Sequence, residues 1–385
     1  GRKFDINEQD ITLTGFYRSN LNLRVKGVSS DQKIAQLSQW LQSRAQHPGI
    51  VYVTLQQTAE EVAAELRKHQ IPAQAYHAGM DSERRQQIQQ RFMASSKGVI
   101  VATIAFGMGI DKSNIRFVAH FDLPKSIENY AQEIGRAGRD GQPSDCLVLA
   151  NKDKLNVLEN FVYGDTPELE AILYVINEII QKSADTNSAP LQWELVLNSL
   201  SSQSNIRPLS LKTLLVYLEL FKIIKPLYSY FAEYKYKFLV SEPELYSHFQ
   251  GERRSFIQAI FENAQMARIW GIIDFDKLQE VYPSERNRVI KALDYLDQHG
   301  LIELQTKQMT QVYQVLKTDF DMSALSQRLF DRFKEKEQSE IKRIHQLMAF
   351  FESDRCLSQQ LAHYFADQNV PEHCGHCSVC SGQAA

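Results

Sequence analysis

Four of the five cysteines, Cys356, Cys374, Cys377 and Cys380, fall in the last thirty residues with the spacing C-x17-C-x2-C-x2-C. Four thiolates complete the tetrahedral shell of a structural zinc ion, and the short spacings let one turn wrap the metal through Gly375. His363, His373 and His376 stand nearby as substitutes that a complete set of thiolates does not need. In a reducing compartment such crowding argues for metal rather than disulfides. Cys146, alone on a predicted strand, reads as core.

A second group could handle phosphate. Arg136 and Arg139 lie three apart among Gly135, Gly138 and Gly141, and with Gln132 and Glu133 they are predicted to share one helix face. Forked, permanently charged guanidiniums suit a triphosphate, although an isolated R-x-x-R pair also reads as a solvated basic helix end. Upstream, Ala105, Gly107 and Gly109 follow the apolar run Val99 to Ala102, so the backbone can turn there and offer N–H groups to an anion. A helix is expected after that strand.

The elements that must hold these groups alternate. Gly49 to Leu55, Ile71 to Tyr76, Val99 to Ala102 and Phe117 to Phe121 read as buried strands. Helices are predicted over Asp31 to Arg44, from Thr58 as N-cap, and over Ser82 to Met93. That alternation is the mark of a doubly wound α/β parallel sheet. Thr54 ends one strand and His77 and Gly79 the next, at the edge where ligands of open sheets collect. Taken singly, Thr54 also reads as a strand-end threonine and His77 as a structural histidine.

Ala102-Thr103, Ala105 through Lys112, Arg116, Leu123-Pro124 and Gln132 through Gly141 together resemble the RecQ family of superfamily-two DNA helicases, in the C-terminal of their two RecA-like motor lobes. Arg18, Asn20 and Leu21 resemble the element that precedes that lobe, with Ser19 where a proline is usual. The resemblance implies that Arg136 and Arg139 reach the phosphates of ATP with Mg2+, Arg139 as the finger, that Gln132 couples nucleotide state to DNA, and that Gly109 and Asp111 belong to the nucleotide site. It implies further that Thr54, His77, Gly79 and Thr103 line a track for single-stranded DNA. Cys356 to Cys380 is similar to the RecQ zinc module, displaced here by some 200 residues from its usual place directly after the lobe.

A formal net charge of −3 means that any DNA surface must be a local patch. Arg207 to Lys237 holds six basic residues (Arg207, Lys212, Lys222, Lys225, Lys235, Lys237) against Glu219 and Glu233. Leu191 to Ile224 reads as helical, and Tyr228, Tyr230, Tyr234, Tyr236 and Phe238 then alternate as a strand-turn-strand, which spells a winged helix. Its tyrosines can be core and its lysines a wet face, with or without bound duplex or junction DNA. A similar unit follows through Ser255 to Leu316, its wing formed by Leu301 to Leu304 and Gln311 to Leu316; nine basic and ten acidic residues between Glu252 and Asp319 make it mainly architectural, with Arg286, Arg288 and Lys291 as open DNA candidates. Leu325 to Phe351 is predicted to be a long charged helix docking on a neighbour.

The expected domains are a leading strand and linker over 1–30, the second lobe over 31–163, winged-helix modules over 164–248 and 249–320, and a helical zinc module over 321–385. The polar stretch Asn151 to Asp165 reads as turns, and Lys182 to Pro190 as a linker. The loop Gly-x-x-x-x-Gly-Lys-Ser/Thr is absent, since Asp111 stands in the place of its second glycine, and there is no Asp-Glu-x-His box. The expectation is therefore an ATP-dependent 3′–5′ DNA helicase of RecQ type, serving DNA repair or recombination, present as a C-terminal fragment that lacks the N-terminal RecA-like lobe and is inactive alone. The alternative is a non-enzymatic DNA-binding or regulatory scaffold. No apolar run approaches a membrane span and the N-terminus has no signal-peptide pattern, so the expected location is cytoplasmic, at the nucleoid in a bacterial cell.

Overall fold

The computed structural model describes Asn7 and residues 15–383 except 108, 154, 185–189 and 268. Ile11 and Leu13 of the expected leading strand, Met108 of the glycine loop and most of the 182–190 linker lie outside the described residues. The chain forms two compact units, Gly1–Tyr163 with Glu335–Ala385, and Gly164–Lys334.

In the first unit, six short strands form one all-parallel sheet: β1 (Leu21–Gly27), β2 (Pro48–Tyr52), β3 (Ala73–Tyr76), β4 (Gly98–Ala102), β5 (Phe117–His120) and β6 (Ser144–Ala150), in the order β1-β6-β5-β2-β4-β3. Every residue of β2 and β5 is buried, as continuous apolar runs in a covered parallel sheet require. The helices are α1 (Lys33–Gln42), α2 (Gln56–Lys68), α3 (Ser82–Ala94), α4 (Ile127–Ile134) and α5 (Leu155–Gly164). The α/β parallel-sheet lobe is as the sequence predicts, with β1, expected as a leading segment, built into its edge.

Several local expectations are corrected. Among the described residues no helix separates β4 from β5; residues 103–107 and 109–116 form a loop. The cap of α2 is Leu55, and Thr58 is buried inside the helix. Asn151 to Asp165 is not all turn, because its apolar positions form α5. Helix α4 stops at Ile134 with Gly135 as C-cap, so Arg136 and Arg139 leave the helix that carries Gln132 and Glu133. Gly138 at φ +56° and Gly141 at φ +80° turn the chain there, in a region that side-chain-bearing residues avoid.

The second unit comprises α6 (Leu169–Ala184), β7 (Gln192–Val196), α7 (Leu197–Ser204), α8 (Pro208–Leu220), β8 (Ile224–Phe238), α9 (Glu242–Ser247), α10 (Gly251–Glu262), β9 (Gln265–Met266), β10 (Gly271–Ile272), α11 (Phe275–Val281), α12 (Arg286–Gln298) and β11 (Ile302–Val315). The two expected hairpins do not form. Instead β8 and β11 are single long strands paired antiparallel from Ile224↔Val315 to Phe238↔Ile302, in a sheet ordered β7-β11-β8-β10-β9. Neither strand contains the Gly, Asn or Asp that a tight turn uses. Pro226, which cannot donate to a ladder, faces Tyr313 beside the irregularity at Val312/Tyr313. Gln192–Val196, read as helix, is the strand that pairs with one end of β11.

Each end of this ribbon serves a separate core. Ile224 and Val315 join Trp193, Leu211, Leu214 and Leu218, whereas Tyr234, Tyr236 and Ile302 join Phe256, Leu293 and Leu296. The modules expected at 164–248 and 249–320 therefore share one sheet. After them α13 (Met322–Phe351) contributes Leu329 and Phe333 to the first of these cores, then Ile344, Leu347 and Phe351 to the core of the parallel-sheet unit. The unit boundary falls inside this helix rather than at 321. The final helix, α14 (Leu357–Tyr364), packs with that lobe as well. Among the described residues no helix is long and apolar enough to cross a membrane.

Candidate functional site

The arginines converge on the glycine loop. Arg136 is buried, 8% exposed, and donates from Nη1 to the Gly107 carbonyl. A Cβ on Gly107 would lie 2.6 Å from Arg136 Nη2, so only glycine permits this approach. Arg139 is more open: its Nη1 donates to Ile110 O at 3.4 Å and pairs with Asp111 at 2.6 Å, and the Asp111 side chain is 88% exposed. An exposed pair of this kind is weak and exchangeable. Gly109 adopts φ +83° and has open space around it, while Gln132 is exposed on α4.

Two neighbours grouped with these residues by sequence point elsewhere. Glu133 turns inward and pairs with His120 at 2.7 Å, both buried, the imidazole stacking on Tyr52. Lys112 is 7% exposed and donates to Met93 O and Ser95 O at 3.2 and 2.7 Å, closing the C-terminus of α3. Burial lowers its pKa.

At the carboxyl edge of the sheet, Thr54, Thr103 and His77 follow the adjacent strands β2, β4 and β3. The Thr54 N–H donates to Asp122 at 3.0 Å and the Thr103 N–H to Tyr76 O at 3.3 Å. His77 Nε2 lies 3.2 Å from Glu60, and Nδ1 is buried without a hydrogen-bond partner. A Cβ at Gly79 would lie 2.1 Å from the amide oxygen of the exposed Gln56 side chain, which would have to move aside.

The four cysteine sulfurs all lie within 4.8 Å of one another. A tetrahedral zinc at about 2.3 Å from each thiolate needs sulfurs about 3.8 Å apart, so the donor set fits zinc without rearranging the fold. Backbone N–H groups of Cys374, Cys377 and Cys380 donate to the sulfurs of Cys356, Cys374 and Cys377, favouring the thiolate forms. Gly375 turns the loop at φ +77°. His363, His373 and His376 are not in the cluster. His376 Nε2 instead contacts Tyr17 Oη at 3.4 Å, and the tyrosine pKa is raised by burial and by the nearby thiolates. Cys146 is fully buried, and burial pushes its thiol far above the reactive range.

Ser378 closes the sheet edge. Its N–H donates to Leu23 O at 2.8 Å, and its Oγ accepts from the Val25 N–H at 3.2 Å. The zinc loop, distant from β1 in sequence, is thus built onto that strand. Sequence reading missed Ser378 and Asp367, whose carboxylate accepts the Phe16 and Tyr17 N–H groups at 2.6 and 3.0 Å. Nothing in their local sequence marks them.

Three of the six basic residues of the patch pair with acids. Arg207 pairs with Asp165 at 3.3 Å, Lys235 with Glu233 at 2.9 Å and Lys237 with Glu303 at 3.8 Å. Arg288 pairs with Glu252 at 2.6 Å. Arg286 is internal bracing: its guanidinium lies 3.8 Å from the Phe275 ring centroid and donates to Phe231 O and Ala232 O.

Family comparison matches residues 32–141 to the helicase conserved C-terminal domain and residues 307–381 to the RecQ zinc-binding domain. The ATP-dependent DNA helicase RecQ of Bacillus subtilis is 41% identical over 157 residues, 40% of this chain and 26% of that protein. A putative ATP-dependent DNA helicase Q1 of Caenorhabditis elegans is 47% identical over 137 residues, 35% of this chain and 22% of that protein. The ATP-dependent DNA helicase Q-like 5 of Arabidopsis thaliana is 27% identical over 297 residues, 77% of this chain and 32% of that protein. In each case the matched stretch spans about a third or less of the relative's length. Among solved structures, the DEAD-box protein SrmB of Escherichia coli, crystallised with RraA, matches 36% of this chain and 82% of its own at 25% identity, with a TM-score of 0.33. Over these stretches the chain is similar to RecQ helicases, in a helicase C-terminal domain and in a RecQ zinc-binding domain that contains the four-cysteine cluster.

Proposed function

We propose that this chain supplies the arginine half of the ATP site, and part of the DNA path, in a 3′–5′ DNA helicase of RecQ type. The observation that carries the reading is the convergence of Arg136 and Arg139 on the loop from Gly107 to Asp111. Arg136 braces that loop from within. Arg139 holds only an exposed carboxylate and one long contact to a carbonyl, so a phosphate can take their place on its guanidinium. Bound ATP with Mg2+, held between this lobe and one carrying a P-loop, supplies the phosphoanhydride whose hydrolysis drives movement. Arg139 then offsets charge developing on the terminal phosphoryl group. Gln132, exposed on α4, is free to face DNA or nucleotide. Thr54, His77, Gly79 and Thr103 lie along one sheet edge where a sugar-phosphate backbone would run without base readout. Zinc bound by the four cysteines is structural, since four protein thiolates leave no open coordination position.

The reading is tested with Arg139→Ala in a helicase that joins this chain to a P-loop lobe. DNA-stimulated ATP hydrolysis should fall about a thousandfold or more while ATP and DNA binding persist. Arg139→Lys should not restore it, because an ammonium lacks the fork that spans two oxygens. The 385-residue chain alone should hydrolyse no ATP. Full hydrolysis by Arg139→Ala, or robust hydrolysis by the chain alone, overturns the assignment.

A further inference from the structure

Beneath the turn that carries Arg136 and Arg139 lies a layer of donors that the reading above does not use. Arg18 Nη2 donates to Gly138 O at 2.6 Å and to Ala137 O at 3.3 Å. Asn20 Nδ2 donates to Gly138 O at 2.8 Å and to Gln142 O at 3.0 Å. Arg18 Nε in turn donates to Asn20 Oδ1 at 3.2 Å, which fixes the amide with its nitrogen toward the turn. Ala137 and Gly138 are the two residues between the arginines. The contact is close enough that a Cβ on Gly138 would lie 2.5 Å from Asn20 Nδ2.

The far end of the same segment is anchored. Asp367 accepts the Phe16 and Tyr17 N–H groups, and the Phe16 ring stacks on Phe365 at 4.0 Å. The segment therefore runs as a short strut from the zinc module to the arginine turn, both within the parallel-sheet unit.

We propose that Arg18 and Asn20 are positioning residues for this turn: by holding the carbonyls between Arg136 and Arg139 they fix where the two guanidiniums project. Beyond its backbone, the tip of Arg139 is held only by the exposed Asp111 carboxylate and a long contact to Ile110 O, both exchangeable, so the turn beneath it sets where it projects. A misplacement of about 1 Å at such a group can cost about a hundredfold in rate. The consequence for catalysis rests on the role proposed above for Arg139; the positioning itself does not.

The two are separated by two readouts. In the zinc-loaded 385-residue chain, hydrogen exchange is followed at the amides of Gly138, Asp140 and Gly141, which are bonded to Ile115 O, Ser113 O and Gly138 O. Asn20→Asp keeps the size of the side chain but removes its donors, and should speed exchange there about tenfold, as for one lost hydrogen bond to the turn, with β2 and β4 unchanged. Arg18→Lys keeps a single donor and should give a smaller increase; Arg139→Ala should leave exchange at the turn as it is. In a helicase that joins the chain to a P-loop lobe, Asn20→Asp should lower kcat for DNA-stimulated hydrolysis about tenfold or more and change the KM for ATP less than about twofold. Unchanged exchange at the turn in both Asn20→Asp and Arg18→Lys, or exchange raised evenly through the lobe, overturns the proposal. Localised loosening together with full hydrolysis by Arg139→Ala supports the positioning and removes the catalytic role from Arg139.

Discussion

At the scale of single residues, glycines decide where the arginines stand. Gly138 is confined twice, by φ +56° and by Asn20, Ser144 and Gln142 within 2.8 Å of any Cβ. Gly141 at φ +80° has open space around it, so only its backbone conformation resists a side chain. Gly138→Ala should therefore destabilise the lobe by roughly 2 kcal/mol or more, and Gly141→Ala by about 1 kcal/mol. Urea unfolding of the two variants checks the order; equal losses would mean that the close packing at Gly138 relaxes freely. Lys112 carries the opposite lesson. A lysine within a glycine-rich stretch invites a phosphate reading, yet here it closes the end of α3 from a buried site.

At the scale of elements, the β8–β11 ribbon replaces two separate wings. Arg286 pins its middle through the Phe275 ring and the carbonyls of Phe231 and Ala232. Arg286→Ala removes a cation–π contact and charge-assisted hydrogen bonds together, and should cost roughly 2 kcal/mol, read as a lower thermal midpoint and faster proteolysis within residues 164–334. If both stay at the wild-type values, the ribbon is held by its ladder alone. Lys235 and Lys237 sit on β8 beside acids, so phosphate must displace Glu233 and Glu303 to reach them. If duplex DNA binds this face, Lys235→Ala with Lys237→Ala should flatten the logarithmic salt dependence of binding by roughly 0.9 for each lost contact. An unaltered salt slope moves the duplex contact off the ribbon.

At the scale of the whole molecule, the chain leaves the parallel-sheet unit after Tyr163 and returns to it at Glu335. The zinc loop closes β1 through Ser378, and Asp367 holds the segment before it. Metal analysis should find about one zinc per chain, and chelation should unfold the loop, because structural zinc contributes folding free energy directly. Hydrogen exchange should then rise at Phe16, Tyr17 and Val25, whose N–H groups face Asp367 and Ser378, while Trp193 and Tyr236 remain buried in unit 164–334. Protein purified without chelator that holds no zinc would refute the centre. Exchange rising equally in both units would show that zinc stabilises more than its own lobe.

Much of the lobe was legible because its determinants are local. Buried parallel strands read as apolar runs, the arginine turn and the glycine loop are contiguous motifs, and four cysteines at short spacing suit one metal whatever surrounds them. The sequence also placed Thr54, His77 and Thr103 at strand ends, since strand and helix alternate at regular intervals there. Tertiary structure decided the rest. A long strand and a hairpin share the same period-two pattern, so only the pairing of β8 with β11 distinguishes them. Helical spacing put Glu133 with the arginines, yet α4 ends at Gly135 and the carboxylate turns to His120. The separation of the zinc module from the lobe in sequence gave no sign of Ser378 on β1 or Asp367 on Phe16. Contacts across some 350 residues depend on where the chain returns, which no local propensity encodes.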